Sequence, residues 1–363
     1  MTSTLMDEIS QQPSALRGVR KYYTSPGAIP TRSLRKLAAH WPPVVVFTGM
    51  GSSLFAAYPA QAFLTALGIR ALVWETAELV HHHLKILGPD TLLVVISQSG
   101  ETVEIIRLLD SLSPATGVLG LANVEASTLA RRSRLLLPMM AGGQTRVTTK
   151  SYMCSVAVLM YLAFVIAGKQ NRPLTHALLR AIEEQETVLD QQAEMTPLNV
   201  EFFNHPTYTA LMSRGADLAS VYEGALILKE VVRIGAEAIS AAQFRHGPIE
   251  IVNPAHRYII FARNSPEDIT PFPKQDRSQP RTRKFLLNLA EDIRSHGGRV
   301  LLLSDGRVEA APNLRLIPVE PAQLGLGTLV DTLHIQLLAH ELALRAGLDP
   351  GRFWIAEGVT RSE

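Results

Sequence analysis

Short apolar runs alternate with amphipathic segments along the first half of the chain, and this alternation restricts the possible folds more than any other feature. The apolar runs lie at residues 44–50, 71–75, 91–97, 116–123 and 135–139. Segments with helical periodicity, such as LFAAYPAQAFLTAL and ETVEIIRLLDSL, separate them. Buried strands joined by amphipathic helices predict an α/β fold with a parallel sheet covered on both faces.

The second half of the chain repeats this arrangement. Its strand-like runs lie at residues 207–215, 258–263, 300–305 and 314–320. Two long helices are predicted between the halves, at residues 151–166 and 173–191, and the helical pattern breaks near Pro197. We therefore predict a duplicated architecture with domains at residues 1–195 and 196–363, and with ligand sites at the carboxyl ends of the strands.

The charge balance and the length of the apolar segments argue against two classes of protein. The 363 residues include 35 basic and 33 acidic side chains, and no basic run is interleaved with aromatic residues, so we expect no nucleic-acid partner. The longest apolar stretch, residues 154–167, is shorter than the roughly 20 residues of a membrane-spanning helix, so we expect no membrane association. The single cysteine, Cys154, cannot form an internal disulfide and fits a cytoplasmic location.

The apolar run at 91–97 ends in a cluster of small polar residues, SQSG at 97–100, directly before a helical segment that begins near Thr102. Backbone N–H groups and hydroxyls converge at such a junction, and the amino terminus of the helix adds partial positive charge, so the cluster suits a phosphate. The alternative is purely structural: Ser99 caps the helix, or the cluster only makes a turn.

A second polar strand end, TGMGSS at residues 48–53, follows the first apolar run. Gly49 and Gly51 begin like a dinucleotide-binding fingerprint, but Leu54 stands where the third glycine belongs. An NAD-dependent oxidoreductase is therefore the weaker interpretation. Ser52 and Ser53 instead offer hydroxyls at a strand end beside the first cluster, and two such ends favour a single anion.

The segment EGALILKEVVRIGAEAISAAQFRHGPIE carries the strongest candidates for catalysis. Glu223, Glu230 and Glu237 recur every seventh residue in apolar surroundings and would share one side of a continuous helix. Such surroundings raise the pKa of a carboxyl group, as a general base requires. His246 precedes a Gly-Pro turn, where an imidazole can shuttle protons near neutral pH. The competing interpretation is a solvated stripe of glutamates and an ordinary turn histidine.

Other reactive residues do not point to a metal or a cofactor. His81, His82 and His83 are consecutive on a predicted helix and point to different sides. His340 begins a zinc-protease pattern, but Leu344 occupies the position of its second histidine. We therefore predict no metal and no cofactor.

Four motifs, TGMGSS, SQSGET, QTRVTTK at 144–150 and EGALILKE…AEAISAAQFRHGP, occur in an order that resembles the sugar isomerase (SIS) family. These motifs resemble those of the isomerase half of glucosamine-6-phosphate synthase and of amino-sugar phosphate deaminases. The resemblance implies two doubly wound parallel-sheet SIS domains, each a flavodoxin-like three-layer sandwich, related by duplication. It also implies a sugar phosphate substrate and a homodimer whose sites are shared between subunits.

The resemblance implies a role for each motif residue. The positions that match phosphate-binding residues are Ser53, Ser97, Gln98, Ser99 and Thr102. Glu230 matches the base that moves a proton between C1 and C2, and His246 matches a ring-opening histidine supplied by the neighbouring subunit. The positions that match sugar contacts are Val147, Glu223, Ala356 and Glu357.

The chain departs from the family at positions that affect the reaction. Glu357 and Ile227 stand where the family has lysines, and a carboxylate cannot form a Schiff base with an open-chain sugar. The first ~50 residues are too few for a glutaminase domain, and residues 2–40 contain no cysteine, so we expect no glutaminase activity. The resemblance thus predicts a phosphosugar aldose–ketose isomerase or an amino-sugar 6-phosphate deaminase. A non-catalytic sugar-phosphate sensor is the alternative.

Overall fold

The computed structural model describes residues 4–24, 33–34, 44–204, 206–264 and 281–355. These residues divide into two units. The N-terminal unit comprises residues 11–179 with 353–355, and the C-terminal unit comprises residues 180–352 with 4–10. The division falls inside the helix Arg172–Phe203, upstream of the boundary predicted at residue 195.

Five parallel strands form the sheet of the N-terminal unit, in the order β2-β1-β3-β4-β5. Their bounds are β1 Val44–Gly49, β2 Arg70–Glu75, β3 Thr91–Ser97, β4 Gly117–Ala122 and β5 Leu135–Pro138. Every residue of the central strand β3 is buried, as expected when helices cover both faces of a parallel sheet. The strand order is flavodoxin-like, which confirms the predicted fold class.

Helices of the N-terminal unit connect these strands. Their bounds are Gln12–Thr24, Ser52–Phe55, Tyr58–Ala66, Thr76–His82, Val103–Ser111, Thr128–Arg132 and Lys150–Ile166, with a 3₁₀ turn at Leu84–Ile86. The helix Lys150–Ile166 is buried along nearly its whole length, which explains why its sequence is apolar on all sides. In the described ranges, no helix has both the length and the apolar character needed to cross a bilayer.

The C-terminal unit repeats this topology. Its strands are β6 Tyr208–Ser213, β7 Ala236–Ser240, β8 His256–Ala262, β9 Arg299–Ser304 and β10 Leu314–Pro318. They are parallel and follow the order β7-β6-β8-β9-β10, so that β6 to β10 correspond in turn to β1 to β5. The repetition confirms the predicted duplication and makes corresponding positions of the two units comparable.

The helices of the C-terminal unit include one that is longer than predicted. Their bounds are Thr4–Ser10, Arg172–Phe203 (from residue 180), Leu218–Ile227, Ala241–Phe244, Arg281–Ser295 and Thr328–Arg345, with 3₁₀ turns at Gly215–Asp217 and Pro248–Ile251. The prediction of a helix end near Gln191 is wrong, because the helix continues through Pro197. Proline removes one backbone N–H, but Val200 and Phe203 are fully buried and hold the last turns in place.

The segment with the three spaced glutamates is not one continuous helix. The helix Leu218–Ile227 passes into a π turn, Leu228–Val232, which ends at Arg233 in a left-handed conformation with φ 61°. Glu237 lies beyond this break, on the edge strand β7. The seven-residue spacing therefore does not place the three carboxyl groups on one helical side.

Candidate functional site

The two polar strand ends predicted to bind a phosphate are neighbours in the N-terminal unit. β1 and β3 are parallel, and Thr48 pairs with Val95, so the strands end at nearly the same level, at Gly49 and Ser97. The connections after these strands diverge, since β1 continues to β2 on one side and β3 to β4 on the other. In open α/β sheets this switch point forms the crevice in which ligands bind.

Glycine at position 49 allows the two strand ends to approach closely. A Cβ atom on Gly49 would lie 2.9 Å from the carbonyl oxygen of Ile96, which is too close for a side chain. The chain then turns at Gly51, which has a φ of 51°, into the helix Ser52–Phe55. Ser53 lies half-buried in the first turn of this helix, so its position is fixed by the strand end.

The turn after β3 is held by its own hydroxyl groups. The Oγ of Ser97 accepts a hydrogen bond from the N–H of Gly100 (3.0 Å) and lies 3.3 Å from the Oγ1 of Thr102. The Oγ of Ser99 accepts a hydrogen bond from the N–H of Glu101 (3.2 Å). These hydrogen bonds order the turn from within.

The helix Val103–Ser111 follows this turn, and its N-cap residue is Thr102 rather than Ser99. In the described structure the side chain of Thr102 makes no capping hydrogen bond. The first N–H groups of an uncapped helix can bind an anion. Gly100 has a φ of 66°, and a Cβ atom there would lie 2.3 Å from the Oγ of Ser127, so only glycine fits this turn.

Asn123 anchors this turn from outside the motif, and sequence reasoning missed it. Its N–H donates to the carbonyl oxygen of Gln98 (3.1 Å). Its Oδ1 accepts from the N–H of Ala141 (3.0 Å), and its Nδ2 donates to the carbonyl oxygen of Gly142 (2.8 Å), in the loop after β5. The available signal was its place at the end of the run TGVLGLAN, which is the end of β4.

The loop that contains Val147 is held by Gln144. The Oε1 of Gln144 accepts hydrogen bonds from the N–H groups of Thr149 (3.2 Å) and Ser151 (2.9 Å), at the start of the helix Lys150–Ile166. Val147, the predicted sugar contact in this loop, is 1% exposed. Its side chain is therefore buried in this structure.

The three spaced glutamates have three different environments. Glu223 is completely buried, Glu230 is half-buried on the π turn, and Glu237 is exposed and accepts a short hydrogen bond from the hydroxyl of Tyr208. Burial raises the pKa of Glu230 to about 7. A π turn is frequent at functional sites, and a carboxyl group that titrates near neutrality suits a general base. Of the three glutamates, only Glu237 is exposed as the competing interpretation of a solvated stripe requires.

Glu230 lies near the amino-terminal edge of the second sheet. The helix Leu218–Ile227 leads from the end of β6 towards the start of β7, and Glu230 lies just before β7 begins at Ala236. The expectation of ligand residues at the carboxyl ends of strands does not hold for Glu230. The reason is that a crossover connection, and not a strand end, carries this residue.

His246 lies beyond the opposite end of β7. It follows the helix Ala241–Phe244, and its side chain is exposed. Gly247 has a φ of 118°, which favours glycine and fixes the turn. A strand of five residues spans roughly 16 Å. Within one chain, Glu230 therefore lies before the start of β7 and His246 lies beyond its end.

Charged side chains fill the end of β8, the strand that corresponds to β3. Arg263 is 2% exposed, its Nε donates to the Oδ1 of Asp331 (2.8 Å), and its Nη1 donates to the Oε1 of Glu184 (3.2 Å). Burial raises the pKa of Asp217 to about 7 and that of Asp331 to about 6, although the charge of Arg263 opposes both shifts. We refer to Arg263, Asp331, Glu184 and Asp217 as the buried ion cluster.

The remaining candidates add no further group to the site. Ala356 and Glu357 lie outside the described residues. Ile227, where the family has a lysine, is 1% exposed at the end of its helix. Among the described residues, no three or more His, Cys, Asp or Glu side chains are placed to hold a metal ion. His83 packs instead on the ring of Trp74, with 4.1 Å between centroids.

Comparison with known proteins gives a family match for part of the chain and similarity to about half the length of larger enzymes. Residues 42–167 match the model of the SIS domain. Glutamine–fructose-6-phosphate aminotransferase (isomerizing) of Thermus thermophilus is 28% identical over 309 residues, which are 82% of this chain and 49% of the relative. The enzyme of the same name from Zymomonas mobilis is 29% identical over 84% of this chain and 50% of its own length. The chain thus spans about half the length of the curated relatives it matches.

Solved structures share the fold over nearly the whole chain. The C-terminal domain of glucosamine-fructose-6-phosphate aminotransferase from Francisella tularensis is 22% identical with a TM-score of 0.82, covering 96% of this chain and 97% of that one. Glucosamine-6-phosphate deaminase from Thermotoga maritima is 20% identical with a TM-score of 0.72, covering 99% of each chain. Tagatose-6-phosphate ketose/aldose isomerase from Escherichia coli is 18% identical with a TM-score of 0.78, covering 97% and 96%. At these identities the likeness establishes the fold.

Proposed function

Because residues 42–167 belong to the SIS domain family, we propose that this protein is a phosphosugar aldose–ketose isomerase. The observation that carries the proposal is Glu230, a half-buried carboxyl group on a π turn whose pKa burial raises to about 7. A protein that only binds a sugar phosphate needs no such group, whereas a proton transfer between carbon atoms does. The reaction we infer moves a proton between C1 and C2 of a six-carbon sugar 6-phosphate.

We assign the phosphate to the N-terminal unit. The hydroxyls of Ser53, Ser99 and Thr102 and the first N–H groups of the helix Val103–Ser111 supply hydrogen-bond donors, and the helix adds partial positive charge. Ser97 and Gln98 support the turn through their contacts within it and with the end of β4. Binding one end of the sugar fixes its position and lowers the entropic cost of reaching the transition state.

Glu230 acts as the base on the open-chain sugar. Its carboxylate removes the proton from C2 while the C1 oxygen takes up a proton from water, which gives an enediol. The same proton then returns to C1 while the C2 hydroxyl releases its proton to water, which gives the ketose. With an amino group at C2 the intermediate is an enolamine, which becomes a ketose imine that water hydrolyses to the ketose and ammonia. The second outcome makes the protein an amino-sugar phosphate deaminase. Neither route passes through a lysine imine at position 227, which is isoleucine.

His246 opens the sugar ring by moving a proton from the O1 hydroxyl to the ring oxygen. We infer that it acts in the site of a second subunit. Two observations support this: its side chain is exposed, and β7 separates it from Glu230 of the same chain. The proposed assembly is a homodimer in which each site borrows one histidine.

The substitution Glu230→Gln tests the proposal, with Glu237→Gln on the exposed edge strand as the matched control. The assays are interconversion of glucose 6-phosphate and fructose 6-phosphate, and ammonia release from glucosamine 6-phosphate. We expect E230Q to lower kcat about 10²- to 10⁴-fold with KM little changed. In the unsubstituted protein, kcat/KM should rise with pH and reach half its maximum near pH 7, because Glu230 must be ionised.

Three outcomes separate the possible functions. Full turnover in E230Q would remove Glu230 from the role of base. Stabilisation by hexose 6-phosphates without turnover on any of these sugars would identify a non-catalytic sensor. Stabilisation by NAD but not by hexose 6-phosphates would favour an oxidoreductase instead.

Mixing two inactive variants tests the shared site. We expect equal amounts of Glu230→Gln and His246→Ala proteins to recover up to about a quarter of the original activity after subunit exchange, because half of the dimers are mixed and each has one complete site. Mixing either variant with itself is the control. No recovery after demonstrated exchange would place both residues in a site of one chain.

A further inference from the structure

A pocket in the C-terminal unit lies beside the edge strand β10, between the helices Arg172–Phe203 and Thr328–Arg345. Its volume is about 270 Å³, close to the liquid volume of about nine water molecules. A small organic molecule with about that many heavy atoms would fill it. Glu230, the proposed catalytic base, does not line this pocket.

The corresponding place in the N-terminal unit is filled. Pro138 and Pro318 are equivalent, because each ends its strand and pairs with the last residue of the preceding strand. The carbonyl oxygen of Pro138 accepts a 2.7 Å hydrogen bond from the hydroxyl of Tyr23, whose ring stacks on Tyr161. In the C-terminal unit, Pro318 lines the pocket instead. The shared topology therefore does not require a pocket at this place. In the C-terminal unit the local side chains leave the space open.

The lining combines apolar and acidic side chains. Leu337 and Leu338, which are 4% and 2% exposed, contribute apolar surface. Its charged residues are Glu184 and Glu320, and the described lining contains no lysine or arginine. A phosphate or carboxylate ligand would face like charge in this pocket without a cation to bind it.

The charged side chains behind the pocket are predominantly acidic. Glu184 connects the pocket to the buried ion cluster, in which Arg263 is shared with Asp331 and Asp217. One guanidinium group for three carboxyl groups leaves an excess of negative charge. A cation beside Glu184 and Glu320 would offset this excess.

His334 contributes a neutral ring to the lining of the pocket. Its Nε2 is buried and has no hydrogen-bond partner within the described residues. Burial and the charge of Arg263 lower the pKa of His334 to about 3, so its ring is neutral near pH 7. The neutral ring adds no positive charge that would oppose a bound cation.

We propose that this pocket binds a small organic ammonium ion, a primary amine on an apolar body of up to about nine heavy atoms. The ammonium group binds at Glu184 and Glu320, and the apolar body packs on Leu337 and Leu338. This site goes beyond the proposed phosphosugar reaction, and its test does not depend on that reaction.

Calorimetric titration of the full chain with three probes of one shape tests the ligand class. Cyclohexylamine is cationic, cyclohexanol is neutral and cyclohexanecarboxylate is anionic at pH 7. We expect the amine to bind at least about tenfold more tightly than the alcohol, and the carboxylate not to bind. Equal affinities for amine and alcohol, a preference for the carboxylate, or no binding of the amine would each overturn the proposal.

Substitutions locate the bound amine. Glu320→Gln should remove most of the preference for the amine, whereas Glu309→Gln on an exposed loop of the same unit should keep it.

Leu338→Phe should fill the pocket and abolish binding, whereas Leu344→Phe on the exposed side of the same helix should not. If Leu338→Phe does not fold, Thr187→Lys decides, because it places a cation at an exposed position of the lining. Amine binding that survives Thr187→Lys contradicts the proposed site.

Discussion

The turn after β3 and the turn after β8 occupy the same place in two sheets of the same topology, yet they carry opposite chemistry. By the register of the neighbouring strands, Gln98 corresponds to Arg263. Gln98 belongs to a partly exposed turn of hydroxyl groups, whereas Arg263 is 2% exposed and bound to Asp331 and Glu184. One strand end carries partly exposed hydroxyl groups, to which we assign a phosphate, and the other places its charged groups in contact with one another.

The same contrast holds on the adjacent strand of each unit. Gly49 stands beside the carbonyl oxygen of Ile96 and leaves no room for a Cβ atom. Ser213 occupies the corresponding position, and its Oγ donates to the carbonyl oxygen of Phe261 (2.7 Å). The backbone arrangement is common to both units, while a close approach in one is replaced by a side-chain hydrogen bond in the other.

Topology therefore locates a possible crevice but does not decide whether a ligand binds in it. In the C-terminal unit the switch point holds the buried ion cluster, and the candidate base Glu230 lies on a crossover near the other edge of the sheet. Under the proposed function, the N-terminal unit binds the anion and the C-terminal unit supplies the proton transfer. This proposal assigns the two copies of one fold different roles at different edges of their sheets.

Arg263→Met should have the largest effect, because it removes the only guanidinium of the buried ion cluster. We expect the free energy of unfolding at pH 8 to fall by about 3–5 kcal/mol, since Asp331 stays buried without its cation. The loss should be smaller at pH 5, where a protonated Asp331 needs no partner. Urea denaturation at both pH values measures this.

A surface pair provides the control for that substitution. Arg294→Met breaks the pair with Glu291, which is more than half exposed, and should cost less than about 1 kcal/mol. Equal losses in the two variants would show that the cluster at β8 does not stabilise the unit in the way we infer.

Thr102→Val should weaken phosphosugar binding with little change in stability. It removes a hydroxyl at the predicted phosphate turn, and a hydrogen bond to a charged group contributes about 1.5–3 kcal/mol, so Kd should rise about 10- to 100-fold. Titration calorimetry with a hexose 6-phosphate measures this. Ser111→Ala at the other end of the same helix, where the hydroxyl binds the carbonyl oxygen of Arg107, is the control. Similar effects of both variants would argue against a phosphate at Thr102.

A matched pair of alanine substitutions separates the two strand ends. Gly49→Ala introduces a Cβ atom 2.9 Å from a carbonyl oxygen and should cost about 1–3 kcal/mol while also raising KM. Ser213→Ala removes one hydrogen bond and should cost about 0.5–1.5 kcal/mol with KM unchanged. Thermal unfolding and steady-state kinetics on both proteins measure these effects. If Ser213→Ala raises KM as much as Gly49→Ala, the two crevices do not differ in function.

The fold was largely predictable because its signals are local. Fully buried strands such as β3 give continuous apolar runs, and the helices between them show their own periodicity. The edge strand β7 was missed because its sequence AEAIS is only partly buried and continues a seven-residue spacing of glutamates. The helix through Pro197 was missed because burial of Val200 and Phe203, which the local pattern does not reveal, outweighs the cost of the proline.

The site was predictable only where a motif marks a strand end. Ser97 and Ser99 follow an obvious apolar run, so their place at the switch point could be inferred from the alternation of elements. Asn123 and Arg263 act through contacts with residues distant in sequence, such as the 68-residue separation between Arg263 and Asp331. No periodicity or spacing encodes such pairs, so sequence reasoning gave no account of them.

The pH dependence of the buried ion cluster gives the smallest expected effect. Burial raises the pKa of Asp217 from 3.8 to about 7, so the folded state binds more protons than the unfolded state in this range and stability falls as pH rises. Asp217→Asn removes this loss, and its free energy of unfolding relative to the original protein should improve by roughly 1.4 kcal/mol from pH 6 to pH 8, the equivalent of one pKa unit. His334, whose lowered pKa acts in the opposite direction, is present in both proteins, so its contribution largely cancels in the difference.

Urea midpoints at the two pH values measure the change in this difference. A constant difference between variant and original would mean that Asp217 does not titrate in the folded state, and that the cluster at β8 carries a fixed charge like an ordinary ion pair.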